Sequence, residues 1–259
     1  HIDTAQVYQN EEGIGDALKS LAVPRNEIYI TTKMWPGMFN QEEPFQTFDG
    51  AIKACEQSLK FLQVDEIDLY LIHNPFAKEN RLELWEAMIE LKKQGKVKHI
   101  GVSNYNVHHI EEIEAAGIEM PSANQIEIHP WHVVSKSLAE YMDKHEILPI
   151  AYSTLAPIPN WREGSRWNGK PEDMKSGAMP CEDIANKYRV TVPQLFLKWA
   201  IQLGYPVLPK SVKYDRLKEN LSLDHFEISL DDMTSISKIA IDEQKCLAWS
   251  GDFDPLEVD

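Results

Sequence analysis

The feature that most constrains the fold is an alternation of short apolar runs with longer helical stretches. The runs are rich in β-branched and apolar residues and lie at residues 1–5, 28–32, 67–72, 99–102, 124–128, 148–152 and 206–209. They are too short for buried helices, and their continuous apolar character is typical of parallel strands covered on both faces. The stretches between them place apolar residues at helical spacing, as in βα units.

This alternation predicts an α/β fold, specifically a (β/α)8 TIM barrel in which seven of the eight strands are recognisable. The length of 259 residues fits one such barrel, because this fold often occupies about 250 residues as one domain. We therefore predict a single domain over residues 1–259. Residues 156–180, rich in Pro, Gly, Asn and Trp, interrupt the alternation and are predicted to form an active-site loop.

The net charge indicates which partners the chain is unsuited to bind, and the cysteines indicate the compartment in which it works. The net charge of −15 argues against nucleic acid or an anionic membrane surface, because both repel an acidic chain. No run approaches the roughly 20 apolar residues of a membrane span. Three cysteines, Cys55, Cys181 and Cys246, are widely spaced in the sequence. They favour a reducing compartment, so we expect a cytoplasmic protein.

Polar residues fall at the ends of the predicted strands. They are Asp3, Lys33, His73, Ser103, Asn104, Tyr152, Ser153, Lys210 and Ser211, with Gln125 inside the fifth strand. Taken singly, each has a structural interpretation, such as a satisfied core histidine for His73. Their shared position favours an active site, since barrel enzymes carry theirs at the carboxyl ends of the strands. No metal is predicted, because no Cys or carboxylate cluster supports the pair His129 and His132.

Several segments together resemble the signatures of the aldo-keto reductase family, in the family's order. They are HIDTAQVYQNE at 1–11, TTKMW at 31–35, LIHNP at 71–75, GVSN at 101–104 and the stretch 208–220. The resemblance covers essentially the whole chain. It implies an alcohol:NADP+ oxidoreductase that reduces an aldehyde or ketone to the alcohol by hydride transfer from NADPH.

The resemblance also implies the catalytic residues, which are Asp3, Tyr8, Lys33 and His73. Hydride transfer to a carbonyl makes an alkoxide, which needs a proton as it forms. An ammonium beside a phenol stabilises the phenolate, so we expect Tyr8 to act as general acid with Lys33 assisting it. Asp3 is expected to hold Lys33, and His73 to orient and polarise the carbonyl.

The cofactor site implied by the resemblance takes residues from the predicted fourth, fifth and sixth strands and from the stretch 210–220. Its predicted residues are Ser103, Asn104, Gln125, Tyr152, Ser153, Leu155, Lys210, Ser211, Val212, Arg216, Glu219 and Asn220. The first three are expected to hold the nicotinamide carboxamide, with the tyrosine stacked on the ring. Residues 210–220 contain four basic and two acidic residues. This excess favours a 2′-phosphate site, and therefore NADPH and NADP+ over NADH.

The substrate pocket is less determined by the sequence. Trp35, Asn74 and Trp131 are its predicted residues, and Asn74 stands where many family members carry Trp. That difference favours a roomier or more polar pocket for a small-molecule carbonyl, whose identity the sequence leaves open.

A monomer is expected. The alternative function is a non-catalytic member of the fold, either a cofactor-binding regulatory subunit or a crystallin-like structural protein, and the complete set of four catalytic residues favours the enzyme.

The chain begins at the His-Ile-Asp segment. In the family that it resembles, a first strand and helix normally precede this segment. We therefore expect this chain to be N-terminally incomplete, as a fragment, a truncation or a sequence with an unrecorded segment.

Overall fold

The computed structural model describes residues 1–37, 46–158, 181–239, 246–249 and 254–258. Its strands are paired in sequence order, and the first four are parallel. They are β1 (Ile2–Asp3), β2 (Ile30–Met34), β3 (Ile67–Ile72), β4 (Val97–Ser103), β5 (Ala123–Glu127) and β6 (Leu148–Tyr152). Strands that pair in chain order with helices between them have the order of a βα barrel, so the predicted α/β class is confirmed.

The helices of the described residues alternate with these strands and continue beyond them. They are α1 (Glu11–Ser20), α2 (Phe48–Leu62), α3 (Arg81–Lys93), α4 (Val107–Ala115), α5 (Lys136–Lys144), α6 (Glu182–Tyr188), α7 (Val192–Gln202), α8 (Tyr214–Leu221) and α9 (Leu230–Ser237). Short 3-10 turns occur at Gln6–Tyr8, Arg25–Glu27, Lys78–Asn80 and Pro255–Glu257.

The chain divides into two compact units, and the first comprises His1–Asn124, Tyr141–Leu148 and Pro255–Asp259. Every residue of β2 and β3 is buried, as expected for strands covered on both faces. Lys33 pairs in register with Leu71, and Leu71 with Gly101. A Cβ on Gly101 would lie 2.6 Å from the Ala123 carbonyl oxygen. Only a glycine at this position therefore allows β4 to lie this close to the backbone of Ala123, the first residue of β5.

In helix α3 of the first unit, the local sequence determines both the buried face and the C-terminal end. Its apolar face buries Leu84, Trp85 and Met88, and its last turn carries two lysines, which favour the negative end of the helix dipole. Gly95 follows with φ of +71°, and its N–H donates to the Lys92 carbonyl at 3.0 Å. Gly95 therefore caps this end of the helix, because glycine takes the left-handed conformation without a steric cost.

The second unit comprises Gln125–Glu140 and Pro149–Asp254. Its helix α7 begins at a capping box in which Thr191 and Gln194 bond each other's backbone N–H groups. Pro193 lies in the first turn of this helix, where a missing N–H costs nothing. Phe196 and Trp199 of this helix are fully buried, so α7 supplies much of the apolar core of this unit.

The seventh predicted strand, at 206–209, is not a strand in the structure. It is reduced to one isolated parallel bridge between Ala151 and Val207. The Ala151 N–H donates to the Pro206 carbonyl at 2.8 Å, and the Leu208 N–H donates to the Ala151 carbonyl at 3.1 Å. Pro206 carries no N–H and cannot donate to the Pro149 carbonyl, so the ladder cannot extend toward the start of β6. At the other end, β6 stops at Tyr152, where Ser153 takes a left-handed φ of 55°.

Within the described ranges, no helix combines the length and the apolar character needed to cross a membrane. The single domain over residues 1–259 stays a prediction. Most of the predicted loop, residues 159–180, lies outside the described residues.

Candidate active site

The four predicted catalytic residues lie in the first unit, each at or just beyond the carboxyl end of a strand. Asp3 is the last residue of β1, Lys33 is the fourth of the five residues of β2, and His73 directly follows β3. Tyr8 ends the 3-10 turn after β1. Gln9 closes this turn with φ of 54°, a left-handed conformation that reverses the chain directly after Tyr8.

Lys33 is the buried centre of the group, with no solvent-exposed surface. Its Nζ donates to Asp3 Oδ1 at 2.6 Å and to the Thr4 carbonyl at 2.7 Å. A buried ammonium persists only when it is paired and hydrogen-bonded, and these two acceptors meet that need. The arrangement therefore holds a positive charge at a fixed point beside β1.

Tyr8 lies over this charge. The Lys33 Nζ is 5.4 Å from the centroid of the Tyr8 ring, and the ring meets that of His73 edge-on at 5.6 Å between centroids. Tyr8 is 52% exposed. Its phenol can therefore exchange protons with solvent while the ammonium lies close to its ring.

His73 is buried and electrically neutral. Burial, and then the charge of Lys33, hold the pKa of its imidazole well below the ordinary value. Its Nδ1 has no hydrogen-bond partner among the described residues, and Trp35 packs edge-on against it at 5.1 Å between ring centroids. A neutral imidazole can donate one hydrogen bond, which is what a carbonyl oxygen accepts.

The predicted substrate residues have different surroundings. Trp35 is half-buried against His73. Asn74 is buried, and its side chain donates to the Gly37 carbonyl at 3.3 Å and accepts from the Phe76 N–H at 3.0 Å. The structure therefore uses the Asn74 amide to hold the chain after β3. Trp131 lies in the second unit, buried against other residues of that unit.

Two predicted cofactor residues lie at the end of β4, where Ser103 is its last residue and Asn104 follows it. Asn104 Nδ2 donates to the His73 carbonyl at 3.0 Å and to Ser103 Oγ at 3.1 Å. The backbone of Asn104 is left-handed, with φ of 63°. Non-glycine residues seldom adopt this conformation, and it is common at functional sites.

Four more predicted cofactor residues, Gln125, Tyr152, Ser153 and Leu155, lie in the second unit. Gln125 is buried within β5. Tyr152 ends β6, and its Oη accepts a hydrogen bond from Trp249 Nε1 at 2.8 Å. Ser153 has a left-handed φ of 55°, so the chain turns sharply directly after Tyr152, as it does at the end of β4.

The basic stretch precedes and begins α8. Ser211 Oγ accepts from the Lys213 N–H at 3.1 Å, and Lys210, Val212 and Arg216 are exposed. Among the described residues, none of the cations Lys210, Lys213 and Arg216 forms a salt bridge. Exposed cations beside a serine hydroxyl provide the donors that a phosphate group requires, so these residues fit the predicted cofactor.

Glu219 and Asn220, at the end of α8, face another helix. Glu219 Oε1 accepts from Thr191 Oγ1 at 2.5 Å, and its carbonyl accepts from Gln194 Nε2 at 3.3 Å. Asn220 is buried. These contacts give Glu219 a structural role at the start of α7.

Sequence reasoning missed the buried carboxylate of Glu127. It accepts hydrogen bonds from His129 Nε2 at 2.8 Å and from the Leu247 N–H at 2.6 Å. The alternation of a strand places Glu127 on the same face as Gln125, which is the signal that could have identified it. Cys246 Sγ also donates to this carboxylate, at 2.9 Å.

The sequence shows no Cys or carboxylate cluster near the pair His129 and His132, but in the structure Cys246 and Asp254 lie close to His132. His132, Cys246 and Asp254 each offer a ligand atom within 4.8 Å of the others. His132 Nε2 already shares a hydrogen bond with Asp254 Oδ2 at 2.8 Å. The expected absence of a metal stays a prediction.

Parallel strands in chain order, with polar groups at their carboxyl ends, are the arrangement found in α/β barrel enzymes. The model of the Aldo/keto reductase family matches residues 1–241. The chain belongs to this family of oxidoreductases.

Named relatives agree with this assignment. Glyoxal reductase of Bacillus subtilis (strain 168) is 37% identical over 243 residues, covering 94% of this chain and 79% of the relative. Methylglyoxal reductase DkgA of Escherichia coli (strain K12) is 37% identical over 240 residues, covering 92% and 78%. A Bombyx mori aldo-keto reductase solved in complex with NADP matches with a TM-score of 0.77 at 32% identity, over 92% of this chain and 78% of that one.

Proposed function

We propose that this protein reduces an aldehyde or ketone to the alcohol with NADPH, and that Tyr8 is the general acid. The observation that carries the proposal is the buried ammonium of Lys33, bonded to Asp3 at 2.6 Å and lying 5.4 Å from the centroid of the Tyr8 ring. A group that gives up a proton to an alkoxide is left negative, and a fixed cation close by favours that state.

Each of the four residues has one task in this proposal. Bound NADPH supplies the hydride. Tyr8 donates its phenolic proton to the carbonyl oxygen, and Lys33 stabilises the phenolate that remains. Asp3 holds the ammonium in place. Neutral His73 donates a hydrogen bond that orients and polarises the carbonyl, and its low pKa keeps a second positive charge out of the site.

The proposed cofactor residues are those that the resemblance to the family implies. Ser103, Asn104 and Gln125 are proposed to bind the nicotinamide carboxamide, with Tyr152 against the ring. The exposed cations Lys210 and Arg216 are proposed to bind the 2′-phosphate, since both residue types pair well with phosphate. The NADP bound in the Bombyx mori relative supports the choice of NADPH over NADH.

Small oxoaldehydes are the proposed substrate class. Two relatives at 37% identity are named for the reduction of glyoxal and methylglyoxal. The monomer, the cytoplasmic location, the active-site loop at 156–180 and the lack of nucleic-acid or membrane partners remain proposals that accompany this function.

The test is steady-state oxidation of NADPH, followed by absorbance, with glyoxal, methylglyoxal and longer aldehydes. Tyr8→Phe should lower kcat by about 10²- to 10⁴-fold, the usual contribution of general acid catalysis, while NADPH still binds. Equal loss of turnover and of NADPH binding would show that Tyr8 has another role. A wild-type chain that binds NADPH but reduces no carbonyl would favour the regulatory or structural alternative.

A further inference from the structure

The predicted nicotinamide-stacking residue is bonded to a residue that is distant in sequence. Trp249 Nε1 donates to Tyr152 Oη at 2.8 Å, across 97 positions of the chain. Both residues belong to the second unit and both are partly buried. A tyrosine ring that ends a strand can rotate about its side-chain bonds, and a hydrogen bond at its far end restricts that rotation.

The segment that carries Trp249 is held by Glu127 at the end of β5. The Leu247 N–H donates to Glu127 Oε1 at 2.6 Å, and the Ala248 N–H donates to the same oxygen at 2.9 Å. Cys246 Sγ donates to Oε2 at 2.9 Å. Burial opposes ionisation of Glu127, yet the bond from His129 holds its pKa below the ordinary value. The carboxylate therefore stays charged and keeps these three consecutive residues attached to β5.

The two attachments act on one short stretch of chain. Glu127 fixes residues 246–248 to β5, and Trp249, the next residue, reaches the end of β6. Tyr152 keeps its proton, because burial and then the negative charge of Glu127 raise the pKa of its phenol. The hydrogen bond from the Trp249 indole fixes the position of the neutral Tyr152 oxygen, and this restricts the orientation of the Tyr152 ring.

We propose that Trp249 is a positioning residue for the cofactor, which sets the plane of the Tyr152 ring from a segment anchored by Glu127. This inference rests on the proposed function, in which the nicotinamide lies against Tyr152. Trp249 acts through Tyr152 and needs no contact of its own with the reacting atoms. Its contribution is preorganisation, because a ring already held in the bound orientation loses less freedom when the cofactor binds.

The first test is Trp249→Phe, which keeps an aromatic ring and removes the N–H donor. NADPH should bind about three- to tenfold more weakly in a fluorescence titration, the effect of one net hydrogen bond. KM for the carbonyl should change little. Trp199→Phe is the matched control, because Trp199 Nε1 also donates one hydrogen bond, to Ser237 Oγ at 3.0 Å. That variant should lose stability and keep its NADPH affinity.

The decisive test is a double-mutant cycle with Tyr152→Phe, which keeps the stacking ring and removes the acceptor. Each single variant should weaken NADPH by a similar factor, and the double variant should bind no more weakly than either single one. Losses that multiply in the double variant would overturn the inference, since they would mean that the two residues act separately. If Trp249→Phe does not fold, Tyr152→Phe alone must show the three- to tenfold loss, and unchanged affinity overturns the inference.

Failure of the inference and failure of the proposed function give different results. A wild-type chain that binds no NADPH rejects both. A wild-type chain that binds NADPH and reduces carbonyls, while Trp249→Phe binds NADPH as tightly as wild type, rejects the role of Trp249 and leaves the proposed function intact.

Discussion

Replacing Lys33 with methionine tests the central claim of the proposed chemistry. Methionine is close to lysine in length and can fill the fully buried site without overpacking it. The substitution removes the ammonium that bonds to Asp3 Oδ1 at 2.6 Å and to the Thr4 carbonyl at 2.7 Å. It also removes the positive charge near the Tyr8 ring.

The expected loss of activity follows from the geometry. A unit charge 5.4 Å from the centre of the Tyr8 ring stabilises a negative charge there by about 3 kcal/mol at an effective dielectric constant of about 20. That energy corresponds to a factor of about 100. Water around the half-exposed ring screens part of it, so kcat of Lys33→Met should fall by about 10- to 100-fold.

The same substitution should cost stability. It leaves the Asp3 carboxylate, 14% exposed, without its cation, and removing one partner of a buried pair costs about 3 kcal/mol or more. Urea unfolding measures this loss, and kcat is measured from NADPH oxidation at a temperature at which both proteins remain folded.

Lys198→Met provides the matched control for this prediction. Lys198 is also buried and pairs with Glu227 Oε1 at 2.6 Å, but it lies outside the four proposed catalytic residues. That variant should lose stability and retain kcat. Wild-type kcat in folded Lys33→Met would refute the reasoning, because it would show that Tyr8 needs no cation.

Three further predictions address the cofactor, the pH dependence and the wall of the site. Arg216→Ala or Lys210→Met should weaken NADPH binding by about tenfold and leave NADH binding nearly unchanged, because only NADPH carries the 2′-phosphate; titration of both cofactors checks this, and equal losses would contradict it. Burial lowers the pKa of His109 to about 3, below the value of about 6.5 for a free imidazole. The unfolded chain therefore takes up the proton first, and the free energy of unfolding should fall as the pH drops from about 6.5 toward 3. Urea titrations of His109→Gln should show a flatter pH dependence, and an unchanged slope would be the contrary result. Asn74→Ala should lower the free energy of unfolding by about 1–3 kcal/mol, because the buried Phe76 N–H loses its acceptor; a variant as stable as wild type in urea would contradict the structural role of Asn74.

The sequence predicted the α/β class and the order of its elements because these depend on local patterns. Continuous apolar runs are typical of buried parallel strands. A glycine such as Gly95 is common just after a helix end, and a proline such as Pro193 is common in the first turn of a helix. The same patterns placed Asp3, Lys33 and His73 at strand ends. The carboxyl ends of parallel strands lie at one edge, so their proximity followed from the fold class.

The seventh strand shows where local pattern failed. Residues 206–209 are apolar, but Pro206 lacks the N–H that would extend their pairing beyond the single bridge at Val207 toward the start of β6. Strand formation there depends on N–H groups as well as on hydrophobic character. The contacts of Asn74 could not be read from the sequence either, because its amide donates to the distant Gly37 carbonyl as well as accepting from the Phe76 N–H; its place in the substrate pocket stays a prediction.

By itself, the sequence determined most of the elements, their order along the chain, and which polar groups reach the strand ends. Only the tertiary structure decided that Lys33 is fully desolvated, that the His73 imidazole is neutral, and that Trp249 bonds to Tyr152. These properties depend on which distant segments exclude water and supply partners. A carboxylate such as Glu127 acquires its partners at 246–248 only when the chain returns to it, about 120 residues later, and no local periodicity carries that information.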